Sequence, residues 1–380
     1  MSTKLAVAFI DPMSYNNLAV YDYGIINGIE KNIQLTFFCN SKYNYKPIYN
    51  TKIHSIFNYS DKKLLFKIKS YIISIIRALI IIKKEKIAII HILWFRLPFF
   101  DVFVWSLVKF LNPNIKIVHT AHNILPHKKK PADTLFYALI YKITDKIICH
   151  TDNSRKELIA KFHLPSAKVT TIPHGILEFE LDDSTLSKKI ASLRQKYSLN
   201  KKIIISALGS QHFYKGTDLL IDTWKENFAK DNDKILIIAG KNIGIKIDIN
   251  GLPENIIYIN DFLTQEEFNA ILRMSHLIVL PYRKISQSGV LLTAISEQIP
   301  FLVSNVGGLA EPLKHGDVGW EFNINISNDL NNKLKIALNS KTELLNIKSN
   351  ENLWQGIKKE YSWPRIQNQI IDLYKELSLT

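Results

Sequence analysis

Cys39 and Cys149 are the only cysteines in a chain of 380 residues. So few exclude a disulfide framework and a cysteine-rich zinc module, and they suit a reducing compartment. Long uncharged apolar runs are missing as well. Residues 64–82 (LLFKIKSYIISIIRALIII) come nearest, but Lys67, Lys69 and Arg77 interrupt them. A spanning helix needs roughly 18–20 residues nearly free of charge. The opening MSTKLAVAFIDP has one lysine and six apolar-leaning residues before Asp11 and Pro12. It reads as a strand and not as a secretory signal. There is no internal repeat and no long flexible linker. No helix–turn–helix, zinc-finger or RNA-binding pattern occurs. The aromatic-rich stretch HILWFRLPFFDVFVW is mainly apolar and is not interleaved with base-reading polar groups. These absences argue against a nucleic-acid partner.

Acidic residues are scarce in one half only. The net charge is +15, and residues 1–176 hold 25 Lys/Arg against 10 Asp/Glu, whereas residues 177–380 hold 24 of each. A one-sided excess points the first half at something anionic, whether nucleic acid, a membrane surface or a phosphorylated substrate. A lysine-rich proteome would also leave spare lysines, but it should do so in both halves. Lys62, Lys63, Lys83, Lys84 and Lys86 flank the 64–82 stretch. A basic, strongly apolar helix of this kind suits an anionic interface. It equally suits a core helix whose lysines snorkel, and the two readings are compatible.

With 47% hydrophobic and 22% charged residues, the composition is globular, and the length suits two domains. Short β-branched runs alternate with helical patterns. Strands are expected at 5–10, 35–39, 87–92, 115–120, 146–150 and 169–172, then at 202–208, 235–239, 256–259, 277–280 and 301–304. Continuous runs such as ILIIAG and LIVLPY fit parallel strands covered on both faces. Two such sets argue for two doubly wound α/β domains. The boundary falls in 175–183 (GILEFELDD), giving domains at 1–178 and 179–361, with a helix expected over 187–197. The tail reads helical with a break at Trp363-Pro364. Its last part, about 362–380, is expected to cross back to the first domain.

Open α/β sheets bind ligands beyond the carboxyl ends of their strands. After 202–208 comes Gly209, then SQHFYKG and a helix. A glycine turn, Lys215 and a helix N-terminus together make an anion site, or serve only as turn geometry. After 277–280 comes PYRKISQSG, where Ser286, Gln287, Ser288 and Gly289 suit a polyol or a sugar diphosphate, or simply cap a helix. After 301–304 comes NVGGLAE, whose Glu311 could take ribose hydroxyls. In the first half, AHNILPHKKK follows 115–120 and places His122 at a strand end. His119 and His122 lack the partners of a metal site. Strand one ends in Asp11, Pro12, Ser14 and Tyr15, with Tyr21 and Asp22 opening a helix. A long polar loop there is expected to act as an acceptor-side lid. Asp231-Asn232-Asp233 matches a metal-binding Asp-x-Asp pattern but precedes a strand, and it reads as a solvated turn.

These motifs resemble, in order, those of bacterial retaining glycosyltransferases of the GT-B fold, family four or group 1. The segments are SYNNLAVYDYGI, HTAHNILPHK, CHTDNSRKEL with VTTIPHGI, LGSQHFYKGTDLLI, PYRKISQSG with IPFLVSNVGGLAE, and YSWPRI. The resemblance covers nearly the whole chain. It implies two Rossmann-like domains facing across a cleft and transfer from a nucleotide-sugar donor, with no cofactor and no metal. His122 and Lys215 become the catalytic residues. Gly209, His212, Lys215, Gly216, Ser286, Gln287, Ser288, Gly289 and Glu311 become donor-binding, and Tyr15, Asp22 and His174 acceptor-side. The basic first half then points to a lipid-linked glycan acceptor at an anionic membrane. The enzyme would sit on the cytoplasmic face of the plasma membrane and build a surface polysaccharide such as capsule, O-antigen or exopolysaccharide.

Three departures stand out. An arginine expected just before the lysine is replaced by Ser210, Gln211 and His212. Two glutamates seven residues apart become Ser286 and Thr293, as in the subgroup with a Thr/Ser-Gln-Ser-Gly loop. A loop glycine is Gln298. They leave open a non-catalytic partner subunit of another transferase, or a nucleotide-sugar epimerase of the same fold.

Overall fold

A computed structural model of the chain describes residues 4–29, 31–46, 51–58, 64–126, 131–179 and 181–379. Two compact units divide it. One is Met1–Gly175 with Tyr361–Thr380, and the other is Ile176–Glu360.

The first unit begins with β1 (Ala6–Asp11), α1 (Asn17–Ile29), β2 (Gln34–Asn40) and β3 (Lys52–Phe57). It continues with α2 (Leu64–Lys84), β4 (Ile89–Ile92), α3 (Pro98–Leu111) and β5 (Lys116–Thr120). Then come α4 (Asp133–Ile143), β6 (Lys146–Cys149), α5 (Asp152–Phe162) and β7 (Val169–Thr171). Among the described residues the strands form one parallel sheet in the order β3-β2-β1-β4-β5-β6-β7. Period-two alternation sends Val7 and Phe9 of β1 to one face, with Tyr21 and Ile25 of α1. Ala8 and Ile10 go to the other, with Tyr71 and Ile75 of α2 and Trp105 of α3. Helices therefore cover both faces, as parallel strands require.

The second unit runs through α6 (Asp183–Lys196), β8 (Ile203–Leu208), α7 (Thr217–Asn227), β9 (Lys234–Ala239) and β10 (Ile256–Ile259). It continues with α8 (Gln265–Met274), β11 (Leu277–Leu280), α9 (Gly289–Ser296), β12 (Phe301–Ser304) and β13 (Gly319–Phe322). Helices α10 (Asp329–Ala337), α11 (Lys341–Ser349) and α12 (Glu351–Glu360) close it. Its parallel sheet has the order β10-β9-β8-β11-β12-β13. Leu220 and Trp224 of α7 and Leu330 and Leu334 of α10 pack on Ile203, Ile205 and Leu236.

The last helix, α13 (Trp363–Ser378), rejoins the first unit. Ile366, Ile370 and Tyr374 lie in the same core as α1 and β1. The Trp363 indole is wedged between two glycines. A β-carbon on Gly24 would lie 2.3 Å from its Cε2, and one on Gly175 2.4 Å. Gln367 Nε2 donates to Gly24 O at 2.6 Å.

Every expected strand forms, and two more appear. Both additions, β3 and β13, are edge strands with partly exposed side chains. Neither carries a continuous apolar run, so the pattern that marks buried parallel strands is absent. Helix α6 starts at Asp183 and not at Ser187, because Asp182 Oδ2 accepts from Thr185 N at 2.7 Å and caps it. The tail breaks at Asn350 as well as before Trp363. The loop after β1 is short, residues 12–16, and Pro12 and Ser14 in it are buried. It is not the long polar lid expected, and Tyr21 and Asp22 lie one turn inside α1.

Candidate active site

Each sheet reverses its winding once, between β1 and β4 and between β8 and β11. Ligand crevices of open α/β sheets form at such points, beyond the strand ends.

In the first unit three strand ends bring histidines together around Tyr21 of α1. The Tyr21 ring lies 4.9 Å from His122, 5.3 Å from His150 and 4.5 Å from His174. Hydrogen bonds set the tautomers. His150 Nδ1 is 3.1 Å from the carbonyl of Ile172, which can only accept, so Nδ1 carries the proton. The bare Nε2 of a neutral His150 then accepts from His122 Nδ1–H at 3.1 Å. This leaves His122 Nε2 as a lone-pair acceptor, buried and without a hydrogen-bond partner among the described residues. Trp94 stacks flat on His122, with ring centroids 5.0 Å apart and 2° between planes. Burial first, then the neighbouring His150, holds His122 well below the ordinary histidine value, and burial takes His150 down to about 4. Both imidazoles are neutral at physiological pH. Behind them His91 bridges Tyr374 Oη at 2.6 Å and Thr120 Oγ1 at 2.7 Å. His174 Nδ1 donates to Gly175 O at 2.7 Å.

Asp11 ends β1 next to Asp22, and both are buried. Burial pushes both carboxyls up, and for Asp22 the charge of Asp11 adds to it. Met13 N donates to Asp11 Oδ1. The side chains of Asp11 and Asp22 are within hydrogen-bonding reach of each other, and Ser14 is within reach of Asp22. Tyr15 is half-buried on the same loop.

In the second unit β8 ends in Gly209, held at φ +90. A β-carbon there would lie 3.0 Å from Lys215 Nζ and 3.6 Å from Val290 Cγ2 in the first turn of α9. The lysine ammonium, the end of β8 and the start of α9 therefore share one spot. Lys215 Nζ also lies over the Tyr282 ring, 5.4 Å from its centroid. The first N–H groups of a helix have no intrahelical partner, and they add to the local positive potential. Ser288 Oγ accepts from Leu291 N at 3.4 Å and caps α9. The amides of Gly209 and Gly216 are already committed, to Ala239 O at 2.9 Å and to Phe213 O at 3.2 Å. Positive charge at this spot thus comes from Lys215 and the α9 start. Gln287 is half-buried, and Gly308 N donates to Ser286 O at 3.3 Å, so the 286–289 loop and the turn leading to Glu311 adjoin. His212 stacks on Tyr214, with ring centroids 5.3 Å apart.

Within each unit the structure groups the expected residues. His122, His174 and Asp22 lie about the β1/β4 reversal, and Gly209, Lys215 and Ser288 about the β8/β11 reversal. Four partners were not foreseen. Trp94 and His150 stand at the ends of β4 and β6, where the strand-end rule applied more widely would have found them. Gln211 is buried and bonds Gly209 O at 2.5 Å, while Thr217 Oγ1 donates to its Oε1. Arg283 pairs twice with Asp218, at 2.7 and 2.8 Å, and lies 4.3 Å from the Phe213 ring centre. Lys128–Lys130, like Lys62 and Lys63, fall outside the described residues. Asp231 and Asp233 both pair with Lys234, ahead of β9. Among the described residues no group of three or more His, Cys, Asp or Glu side chains is arranged to hold a metal ion.

Two family models match the chain. Glycosyltransferase Family 4 matches residues 24–177, and Glycosyl transferases group 1 matches residues 202–340. Each takes in less than half of the chain and together most of it, so the first unit carries a family 4 match and the second a group 1 match. An alpha-D-kanosaminyltransferase of Streptomyces kanamyceticus is 24% identical over 178 residues, 46% of this chain and of that protein. An uncharacterized glycosyltransferase of Methanocaldococcus jannaschii is 22% identical over 241 residues, 60% of each. The chain thus matches only about half the length of these curated relatives. Among solved structures, Anabaena HepE in complex with UDP aligns with a TM-score of 0.69 and 13% identity, over 98% of this chain and 100% of that one. At that identity the likeness is one of fold, the two-domain GT-B fold.

Proposed function

We propose that the protein is a hexosyltransferase-type glycosyltransferase that moves a sugar from a nucleotide-sugar donor to a lipid-linked glycan. The carrying observation is Lys215 Nζ, poised between the Gly209 turn and the start of α9. When the glycosidic bond breaks, the departing nucleoside diphosphate gains negative charge. A preorganised cation and helix N-terminus stabilise that charge without reorganising, a contribution of roughly 2.7–4 kcal/mol for one good donor. His122 Nε2, an acceptor without a protein partner, suits a hydroxyl of the transferred sugar. Ser286, Gln287, Ser288, Gly289 and Glu311 would hold the sugar, diphosphate and ribose. Tyr15, Asp22 and His174 would face the acceptor. Transfer proceeds with retention, the acceptor attacking on the leaving-group face without a covalent enzyme intermediate, and needs neither metal nor cofactor. The Ser286-Gln287-Ser288-Gly289 loop supports a reading in the subgroup lacking the paired glutamates. The basic first half favours an acceptor at an anionic cytoplasmic leaflet, in the synthesis of a bacterial surface polysaccharide.

One observation favours a second reading, a non-catalytic partner subunit. Gln211, at a position expected to hold arginine, is turned inward onto Gly209 and Thr217 and offers no charge. A thermal-shift panel of UDP-, GDP-, ADP- and dTDP-sugars tests the proposal. One nucleotide sugar should raise the melting temperature, because a ligand bound only to the folded state stabilises it. Slow donor hydrolysis should accompany it. Binding without hydrolysis or transfer would favour the subunit reading, and no response to any donor would overturn both.

A further inference from the structure

Helices α2, α3 and α4 cover the same side of the first sheet. Tyr71 Oη of α2 donates to Asp101 Oδ1 of α3 at 2.6 Å, and Phe99 of α3 meets Phe136 of α4 at a centroid distance of 5.6 Å. Their outward side is apolar where solvent-facing helices are normally polar. Phe99, Phe103 and Phe110 are 72%, 64% and 81% exposed, on one stripe of α3. Ile76 and Ile80 of α2 and Leu135 of α4 extend the same face. Exposed large apolar side chains grouped on one side in this way mark an interaction surface. No helix among the described residues is long and apolar enough to cross a membrane.

The charges on these helices identify the partner. Their only acids, Asp101 and Asp133, are buried, whereas α2 carries Lys67, Lys69, Arg77, Lys83 and Lys84. Among the described residues none of those five cations is in an ion pair with a carboxylate. Lys67, Lys69 and Arg77 converge on a groove of about 340 Å³, floored by Ile56, Phe66 and Ile73. A twofold contact with a second copy repeats the same patch on both sides, and with Asp101 and Asp133 buried these helices would offer the facing cations no carboxylate. An anionic lipid leaflet complements both features at once.

We infer that the α2–α3–α4 face is a membrane-docking surface for an anionic leaflet. The α3 phenylalanines enter the acyl boundary, and the α2 groove takes a lipid phosphate between Lys67, Lys69 and Arg77. This deepens the lipid-linked acceptor reading, on which it rests for its biological sense, but it does not depend on donor binding.

The test is flotation of the full-length protein with vesicles of phosphatidylcholine, with and without phosphatidylglycerol. Wild type should float with the anionic vesicles and be released by salt. The triple variant Lys67→Gln, Lys69→Gln, Arg77→Gln should lose affinity at low salt by roughly tenfold or more. Phe99→Ser, Phe103→Ser, Phe110→Ser should lose what binding persists at high salt. Circular dichroism and melting temperature verify the fold of both variants, whose replaced side chains make no core. Wild type staying at the bottom of the gradient would overturn the inference, as would phenylalanine variants that float unchanged. So would a face that proves to be a dimer contact, shown by the phenylalanine variant becoming monomeric with no vesicle effect. Donor-induced thermal shift without vesicles should be equal in all three proteins. Its loss everywhere would sink the donor reading and leave this one standing.

Discussion

His150 Nε2 sits 3.1 Å from His122 Nδ1 and fixes the proton of His122 on the side away from its free nitrogen. Replacing His150 with alanine removes that acceptor. His122 is then free to take the other tautomer, whose Nε2–H cannot accept from a sugar hydroxyl. We expect transfer to slow by about tenfold, the worth of one hydrogen bond of about 1.4 kcal/mol. The distinguishing readout is the ring nitrogen spectrum of His122, which should change from the Nδ1–H form to a mixture. Loss of rate with an unchanged spectrum would mean that His150 acts by packing alone.

Lys215→Ala removes the ammonium from the β8/β11 reversal. Turnover should fall by about a hundredfold or more, on the scale of one lost transition-state donor. The side chain is partly exposed, so the melting temperature without donor should hardly move. A folded variant with an unchanged transfer rate would remove Lys215 from the chemistry.

Gln298 shows how a departure from the family pattern reads in the backbone. It adopts φ +52, a left-handed conformation that costs a side-chain-bearing residue roughly 1–2 kcal/mol. Its Nε2 is buried without a hydrogen-bond partner among the described residues. Gln298→Gly removes both penalties and regains some chain entropy on unfolding. The net expectation is a gain of about 1 kcal/mol in urea unfolding. A loss would show that the amide holds a partner in solution.

Acid stability of the first unit follows from its histidines. Burial takes His91 down to about 3 and His119 and His150 to about 4, and it holds His122 and His174 low as well. The unfolded chain takes up these protons near pH 6.5, so stability present above that value is lost as pH falls through about 4. Asp11 runs the other way. Its folded carboxyl keeps a proton that the unfolded chain releases near 3.8, so its share of stability falls as pH rises above that value. Five histidines outnumber the raised carboxyls Asp11, Asp22 and Asp101. The melting temperature should therefore drop between pH 6.5 and pH 4.5. Asp11→Asn should gain on wild type as pH is raised from 5 to 8, and a pH-independent difference between the two would refute the assignment.

Both parallel sheets could be read in advance because their central strands are buried on both faces and so are continuously apolar. The edges β3 and β13 could not, since half-exposed strands such as KIHSIF lose that signal. The lysine turn was legible for a local reason, as Gly209, Lys215 and Gly216 lie within one loop. The histidine group was only partly so. His91, His122, His150 and His174 are spread over more than eighty residues and meet only because β4, β5, β6 and β7 run side by side in that order. Arg283 reads as one more loop cation until its bidentate hold on Asp218 is seen.

The placement of α13 has a consequence for how the protein is made. His91 on β4 reaches Tyr374 across 283 residues of sequence, and Ile366 and Ile370 fill the core between α1 and the sheet. Domains generally fold as units during synthesis, the N-terminal one first. Here the N-terminal unit lacks one wall until the ribosome has finished the other unit and then reached 363–378. The second unit can close first, and the first waits with the core around Phe9, Ile25 and Phe37 only partly walled, by α1 and without α13. Nonsense mutations near the 3′ end of the reading frame would therefore disable the half of the protein encoded at the 5′ end.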